Sequence, residues 1–168
     1  AGKLFSRLFT PAAKYVVCRR GISFVAEAME MLGGIGYCEE SELPRLYREM
    51  PVNSIWEGAG NVMCLDVLRV LSKQPAAMEL LAREFEAVKG QSRYFDGAWR
   101  QLKLLLRHPQ EAQARAICES LFNLACGVQV MRQLEPCIAD AWCRQLRGPA
   151  PLSEKVCQRL LLRATGIS

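Results

Sequence analysis

Apolar residues recur at steps of three and four along 12–32, AAKYVVCRRGISFVAEAMEML, with Val17, Phe24, Val25, Ala28 and Leu32 among them, and the run stops at Gly33 and Gly34. That is the period of an amphipathic helix closed by the residue type that most readily ends one. Pro11, just ahead of it, marks a first turn or a kink. GGIGYCEESE reads as a turn, followed by a short helix that opens at Pro44 and stops at Pro51, then by an extended passage to Ile55. A second apolar period, carried by Val62, Leu65, Leu68 and Leu71, predicts a helix from about Glu57 to Lys73.

Beyond Gln74 and Pro75 the pattern predicts further helices over about 76–89, 92–107, 110–133, 135–146 and 153–164. Gly90, His108-Pro109, Glu135-Pro136 and the GPAP run at 148–151 supply the breaks. Ser153 followed by Glu154 suits the start of the last helix, and Gly166 suits its end. No segment argues for a strand, so the expected fold class is all-α. No internal repeat or low-complexity segment is present.

Length and composition narrow the class. A chain of 168 residues can bury a core as one domain or two small ones, and 51% hydrophobic with 23% charged residues is ordinary globular usage. No apolar run is long enough to cross a bilayer and the N-terminus lacks the layout of a secretory signal, which points to a soluble, cytoplasmic protein. The absence of an initiator Met suggests a piece of a longer one. Eight cysteines contain no CxxC pair and lie mostly inside helical patterns, so they read as reduced core residues, and with a single histidine no metal site is expected. The net charge of +5 is uneven: 1–74 carry nine Lys and Arg against eight Asp and Glu, whereas 75–168 carry thirteen against nine. With the break at Gln74-Pro75, this predicts domains over 1–74 and 75–168.

Two features carry candidate chemistry. In NSIWEGAGN the carboxylate of Glu57 stands behind Trp56 and ahead of Gly58, Ala59 and Gly60, at an expected helix start. There it either favours the helix dipole or, desolvated in a pocket, acts as a general base, with small neighbours that let a ligand approach the backbone. The second feature is cationic. Arg93, Arg100, Lys103 and Arg107 fall within roughly an 80° arc of one helix at 100° per residue, and Lys155, Arg159 and Arg163 form another stripe behind Arg144 and Arg147. Arg69 is a further candidate. Such stripes either meet phosphates of a duplex or are solvated helix faces. His108 is expected at a helix C-terminus, and Trp99 and Trp142 in the core.

LGGIGY (32–37), PRLYRE (44–49) and IWEGAGNVM (55–63) resemble, in order and spacing, the C-terminal helical domain of the acyl-CoA dehydrogenases. The longer match, through CLDVLRVL (64–71), KGQSRYFD (89–96) and LLLRATG (160–166), resembles the AidB-type branch, the alkylation-response flavoproteins. The resemblance implies the end of a dehydrogenase helical bundle followed by an additional helical domain that binds double-stranded DNA through backbone phosphates. It implies FAD as cofactor, acyl-CoA as substrate and a homotetramer. Residue by residue, it makes Glu57 the base, places Gly33, Gly34 and Glu30 near the flavin diphosphate and adenosine of a neighbouring subunit, and puts Gly58 and Ala59 on the flavin side. Ala59 stands where the family usually has Thr, and Glu30 where it commonly has Gln, so ordinary cofactor geometry is in question. The domains that cradle most of the flavin and substrate in that family are not in this sequence, so the chain alone is expected to be inactive. The alternative is part of a conventional acyl-CoA dehydrogenase whose extra helices serve oligomerisation.

Overall fold

A computed structural model describes residues 2–148 and 151–165. It is all-α, with no strand among the described residues. The helices are α1 (Gly2–Leu32), α2 (Gly34–Tyr37), α3 (Leu43–Asn53), α4 (Gly60–Lys73), α5 (Pro75–Glu86), α6 (Arg93–Leu105), α7 (Ala114–Gln133), α8 (Pro136–Gln145) and α9 (Glu154–Thr165), with one 3-10 turn at Glu111–Gln113. No helix among these residues is long and apolar enough to cross a membrane. The expected helix stop at Gly166 lies outside the described residues.

The chain divides into two compact units: 1–77 with 109–119, and 78–108 with 120–168. In the first, α1 packs along α3 and α4. Its core is Leu8, Phe9, Ala12, Tyr15 and Val16 of α1 against Cys64, Val67, Leu68 and Leu71 of α4, all buried. Ile117 and Cys118 of α7 are buried in the same unit.

Several expectations for this unit need correction. The first helix runs through Pro11 from Gly2, because the proline ring is itself buried and its packing offsets the hydrogen bond it cannot make. Of the apolar positions expected to face the core, Val25 is buried, but Val17, Leu32 and Phe24, at 75% exposure, face outward. This helix carries apolar residues on more than one side, so periodicity alone does not single out the buried face. The glycine-rich turn contains the single-turn helix α2, and α3 continues through Pro51 to Asn53, followed by a turn where an extended passage was expected. The next helix begins at Gly60, three positions after Glu57, and buries Cys64, Val67 and Val70 as well as Leu68 and Leu71, leaving Val62 exposed.

The second unit follows the sequence pattern more closely. Its core gathers Leu81, Phe85, Phe95, Trp99, Leu102, Leu121, Leu124 and Val128. Phe85 meets Phe95 and Trp99 edge to face, at ring-centroid distances of 6.1 and 5.0 Å, the arrangement that aromatic quadrupoles favour. Ser92 caps α6 by accepting from the Phe95 amide at 3.4 Å. Trp142 is half-buried and donates to the Asn123 carbonyl at 3.4 Å, and His108 lies just beyond the end of α6. Of the eight cysteines, Cys64, Cys118 and Cys143 are core residues as expected, whereas Cys38 and Cys157 are exposed.

One carboxylate ties the polar side of this unit together. Glu86 accepts from Trp99 Nε1 at 2.9 Å and Lys103 Nζ at 3.0 Å, and pairs with Lys89 at 3.1 Å. Those donors, the Trp99 N–H first, bring its pKa from 4.5 to about 2. A folded-state pKa below the unfolded one stabilises above the unfolded value and is lost as pH falls. With 34% of the side chain in water, solvent screening keeps the effect modest. Urea unfolding of the wild type and Glu86→Gln should show a constant stability gap above pH 4.5 that closes as the pH falls toward 2. A gap independent of pH would mean that the ionised carboxylate contributes nothing.

Candidate functional site

Glu57 is exposed, and it is the non-glycine residue in the described chain with positive φ, at 52°. A left-handed backbone at a side-chain-bearing residue costs on the order of 1 kcal/mol and persists only where the surroundings hold it. Gly58 follows with φ of 111°, a backbone conformation that side-chain-bearing residues rarely adopt and glycine reaches freely; a Cβ there would only push aside the flexible end of Met63. Ala59 is then the N-cap of α4, extended at ψ 156° and without a side-chain acceptor for the first helix amides.

The holding group comes from α1. Lys14 Nζ donates to the Trp56 carbonyl at 2.7 Å and to the Gly58 carbonyl. Lys3, Arg7 and Lys14, with Thr10, share a spacing of four, three and four, which puts them on one face of α1. That face and the Glu57 turn line an open groove of about 810 Å³, with Met63 and Asp66 of α4 on the far wall. Arg7 links α1 to α4 within this lining by a bidentate pair with Asp66, whose second hydrogen bond is 2.7 Å. The Arg7 guanidinium holds the Asp66 carboxyl below its usual range. Trp56, beside the candidate base, is 59% exposed, and Glu57 itself is exposed, so none of the described residues encloses the carboxylate.

Gly33 and Glu30 lie on a separate groove of about 640 Å³, with Met29, Tyr37 and Tyr47. Gly33, with φ of 62°, is the N-cap of α2, and no atom comes within 4 Å of where its Cβ or that of Gly34 would lie. Gly58 and Ala59 are on the Glu57 side, so the structure separates the expected cofactor residues into two places.

The basic residues divide as well. Arg93 donates to Tyr94 Oη at 2.9 Å, and the Tyr94 ring has the guanidinium carbons of Arg93, Arg147 and Arg144 at 4.9, 5.5 and 5.9 Å from its centre. Arg93 of the first stripe, and Arg144 and Arg147, which precede the second, therefore converge on one tyrosine. Lys103 is committed to Glu86, and Arg159 pairs with Glu135 at 3.4 Å. Arg144 pairs with Asp140 at 2.8 Å, and Arg69 with Asp66 at 3.3 Å. Arg107 falls past the end of α6, while Arg100, Lys155 and Arg163 are exposed on their helices. No group of three His, Cys, Asp or Glu among the described residues is placed to hold a metal ion.

Residues 1–72 match the family model described as acyl-CoA dehydrogenase, C-terminal domain. Over 166 residues, 97% of its length, the chain is 62% identical to the putative acyl-CoA dehydrogenase AidB of Escherichia coli. The chain belongs to the acyl-CoA dehydrogenase family. It spans 31% of the length of AidB. Among solved structures it is similar to the apo form of Bd2924, with a TM-score of 0.68 and 31% identity over 77% of this chain and 25% of that one. It also shares its fold with Caenorhabditis elegans ACDH-11, solved in complex with C11-CoA, at a TM-score of 0.64 and 21% identity over 95% of this chain and 33% of that one. The acyl-CoA dehydrogenase domain thus accounts for the part of the chain that carries Glu57, Lys14 and both grooves.

Sequence reasoning missed Lys14, the Arg7–Asp66 pair and Tyr94. The spacing of Lys3, Arg7, Thr10 and Lys14 was a visible signal, whereas their partners, more than forty positions away, had no local trace. Relief of the left-handed backbone gives a direct check. Glu57→Gly should raise stability by about 1 kcal/mol in urea unfolding and Glu57→Ala should leave it near the wild type. Equal stability of all three would show that position 57 stores no strain.

Proposed function

We propose that the chain is the C-terminal part of an AidB-like flavoprotein of the acyl-CoA dehydrogenase family, with Glu57 as its base and a second unit that holds duplex DNA in the response to alkylation damage. The observation that carries the first half is Glu57 itself: a carboxylate held in left-handed backbone at the edge of an open groove, in the family's own motif. In this reading an acyl-CoA thioester lies in the groove and the Glu57 carboxylate takes the proton from its α-carbon. The electrons of that C–H bond form the Cα–Cβ double bond. The chemistry that FAD supplies when bound is acceptance of the hydride from the β-carbon.

The residues expected to hold FAD fit it in part. Tyr37, Tyr47 and Met29 around Gly33 suit a flat, weakly polar ring such as adenine, and the bare glycine backbone lets it come close. The charged residue on that wall is Glu30, which repels phosphate, so cations for the diphosphate have to come from other parts of the assembly. The outward-facing Phe24, Met31 and Ile35 are apolar surface that a neighbouring subunit or the rest of a longer cytoplasmic protein would cover, in keeping with a homotetramer.

For DNA, the supporting observation is the convergence of Arg93, Arg144 and Arg147 on Tyr94, with Arg100, Arg107, Lys155 and Arg163 as further donors. Arg69, Lys103 and Arg159, each with a carboxylate partner already, contribute less, and Arg144 contributes only as far as it leaves Asp140. Hydrogen bonds of this kind go to backbone phosphates and are indifferent to sequence. The competing reading, that the extra helices serve assembly, is favoured by the exposed Leu160, Leu161 and Leu162 of α9.

Two measurements test the halves separately. In the full-length flavoprotein, an acyl-CoA should bleach the flavin absorbance, and Glu57→Gln should abolish the bleaching while FAD stays bound; bleaching that survives removes Glu57 as the base. The 168-residue chain should bind a duplex with an affinity that drops steeply with salt. Changing Arg93, Arg144 and Arg147 to Gln should flatten the log–log slope by up to about 3, at roughly 0.9 for each phosphate that is no longer neutralised. Salt-independent binding, or none alongside a rise in mass with concentration, would favour assembly.

A further inference from the structure

We infer that Lys14 is a positioning residue for Glu57: its ammonium sets the backbone conformation that aims the carboxylate into the groove. The inference rests on the reading of Glu57 as the base and adds a residue to it. The carbonyls that Lys14 grips belong to Trp56 and Gly58, and the two residues whose dihedrals lie between those peptide planes, Glu57 and Gly58, are the pair with φ of 52° and 111°. Without a donor at this place, the two carbonyls would point the same way with no partner in common. With it, one cation satisfies both, and two of its three protons are used in doing so.

The geometry of delivery supports a positioning role. Lys14 lies in the interior of α1 between the buried Ala12 and Tyr15, so its stem leaves a packed element rather than a loop. Tyr15 in turn packs against the start of α4, where a Cβ on Gly60 would come within 3.0 Å of its ring. The turn that carries Glu57 is therefore held at one end by Lys14 and at the other by the contact of Tyr15 with α4. A carboxylate that must meet a C–H bond at a fixed distance gains from such support, because a misplacement of about 1 Å can cost a factor of about 100 in rate. A polar surface lysine holding a loop merely for stability would leave that rate alone.

The test uses the full-length flavoprotein with C11-CoA as the probe, beside the chain itself. Lys14→Met keeps the stem and removes the donors; Lys14→Arg keeps a donor. The expected result is a fall in kcat of about 10- to 100-fold in Lys14→Met, with KM within about twofold, FAD content unchanged and most of the rate restored in Lys14→Arg. In the 168-residue chain, amide exchange over 56–60 should accelerate by about tenfold or more in Lys14→Met while the interior of α4 keeps its protection. An unchanged kcat, or a rise in KM alone, overturns the inference. If the wild-type flavoprotein does not turn over the probe, or if Glu57→Gln is as active as the wild type, the base reading fails by itself. Exchange then decides about Lys14: acceleration confined to 56–60 sustains its hold on the turn, and identical exchange overturns it.

Discussion

The packing of α1 along α4 is the constraint on which the first unit depends. Leu8, Ala12 and Val16 on one side of α1 are buried to 2% exposure or less, against Cys64 and Val67 of α4, and that fit fixes the axial register of the two helices. The polar face of the same helix inherits the register. Arg7 arrives opposite Asp66, and Lys14 arrives opposite the turn before α4. Neither long side chain could search out these partners without entropy loss unless the apolar face had already placed its stem. Burial of a dozen apolar side chains stabilises far more than two half-exposed polar contacts, so the hierarchy runs from core to groove and not the reverse.

The second unit divides its charges differently. Its apolar core is closed by aromatic packing, and Glu86 then gathers Trp99, Lys103 and Lys89 around one carboxylate. Cations engaged in that way are structural, because releasing them to a ligand would break the ion pairs they already make. Arg93 and Arg147 near Tyr94 differ, since a cation over an aromatic face keeps most of its N–H groups directed elsewhere, whereas Arg144 at the same ring also pairs with Asp140. A net charge of +5 says little about this division, because it counts committed and uncommitted cations alike.

How much of this could be read in the sequence depended on the range of the forces involved. The helices of the second half were legible to within a few residues because Pro and Gly bracket apolar runs of helical period, and local rules govern such boundaries. The 2–32 helix was less so: Pro11 is tolerated by tertiary burial, and its outward Phe24 and Val17 look like core residues to any periodicity argument. Glu57 was recognisable because its neighbours are unusual and its motif belongs to a family. What holds it was not, because Lys14 makes its hydrogen bonds 42 and 44 positions away. The convergence on Tyr94 was hidden for the same reason, its three arginines coming from α6, α8 and the residues just after α8.

Strain and support at Glu57 belong together. A left-handed glutamate followed by an obligatory glycine is a poor choice for stability at a turn, where Asn or Gly would serve without penalty. The turn is kept in that state by a lysine from another helix, which would be superfluous if the backbone were relaxed. Both features make sense if the position of the carboxylate matters more than the free energy it costs, which is the expected balance at a site whose chemistry requires one orientation. Its exposure fits the same logic, since the groove that it borders is open, and a carboxylate there would become useful as a base only when other groups close over it and exclude water.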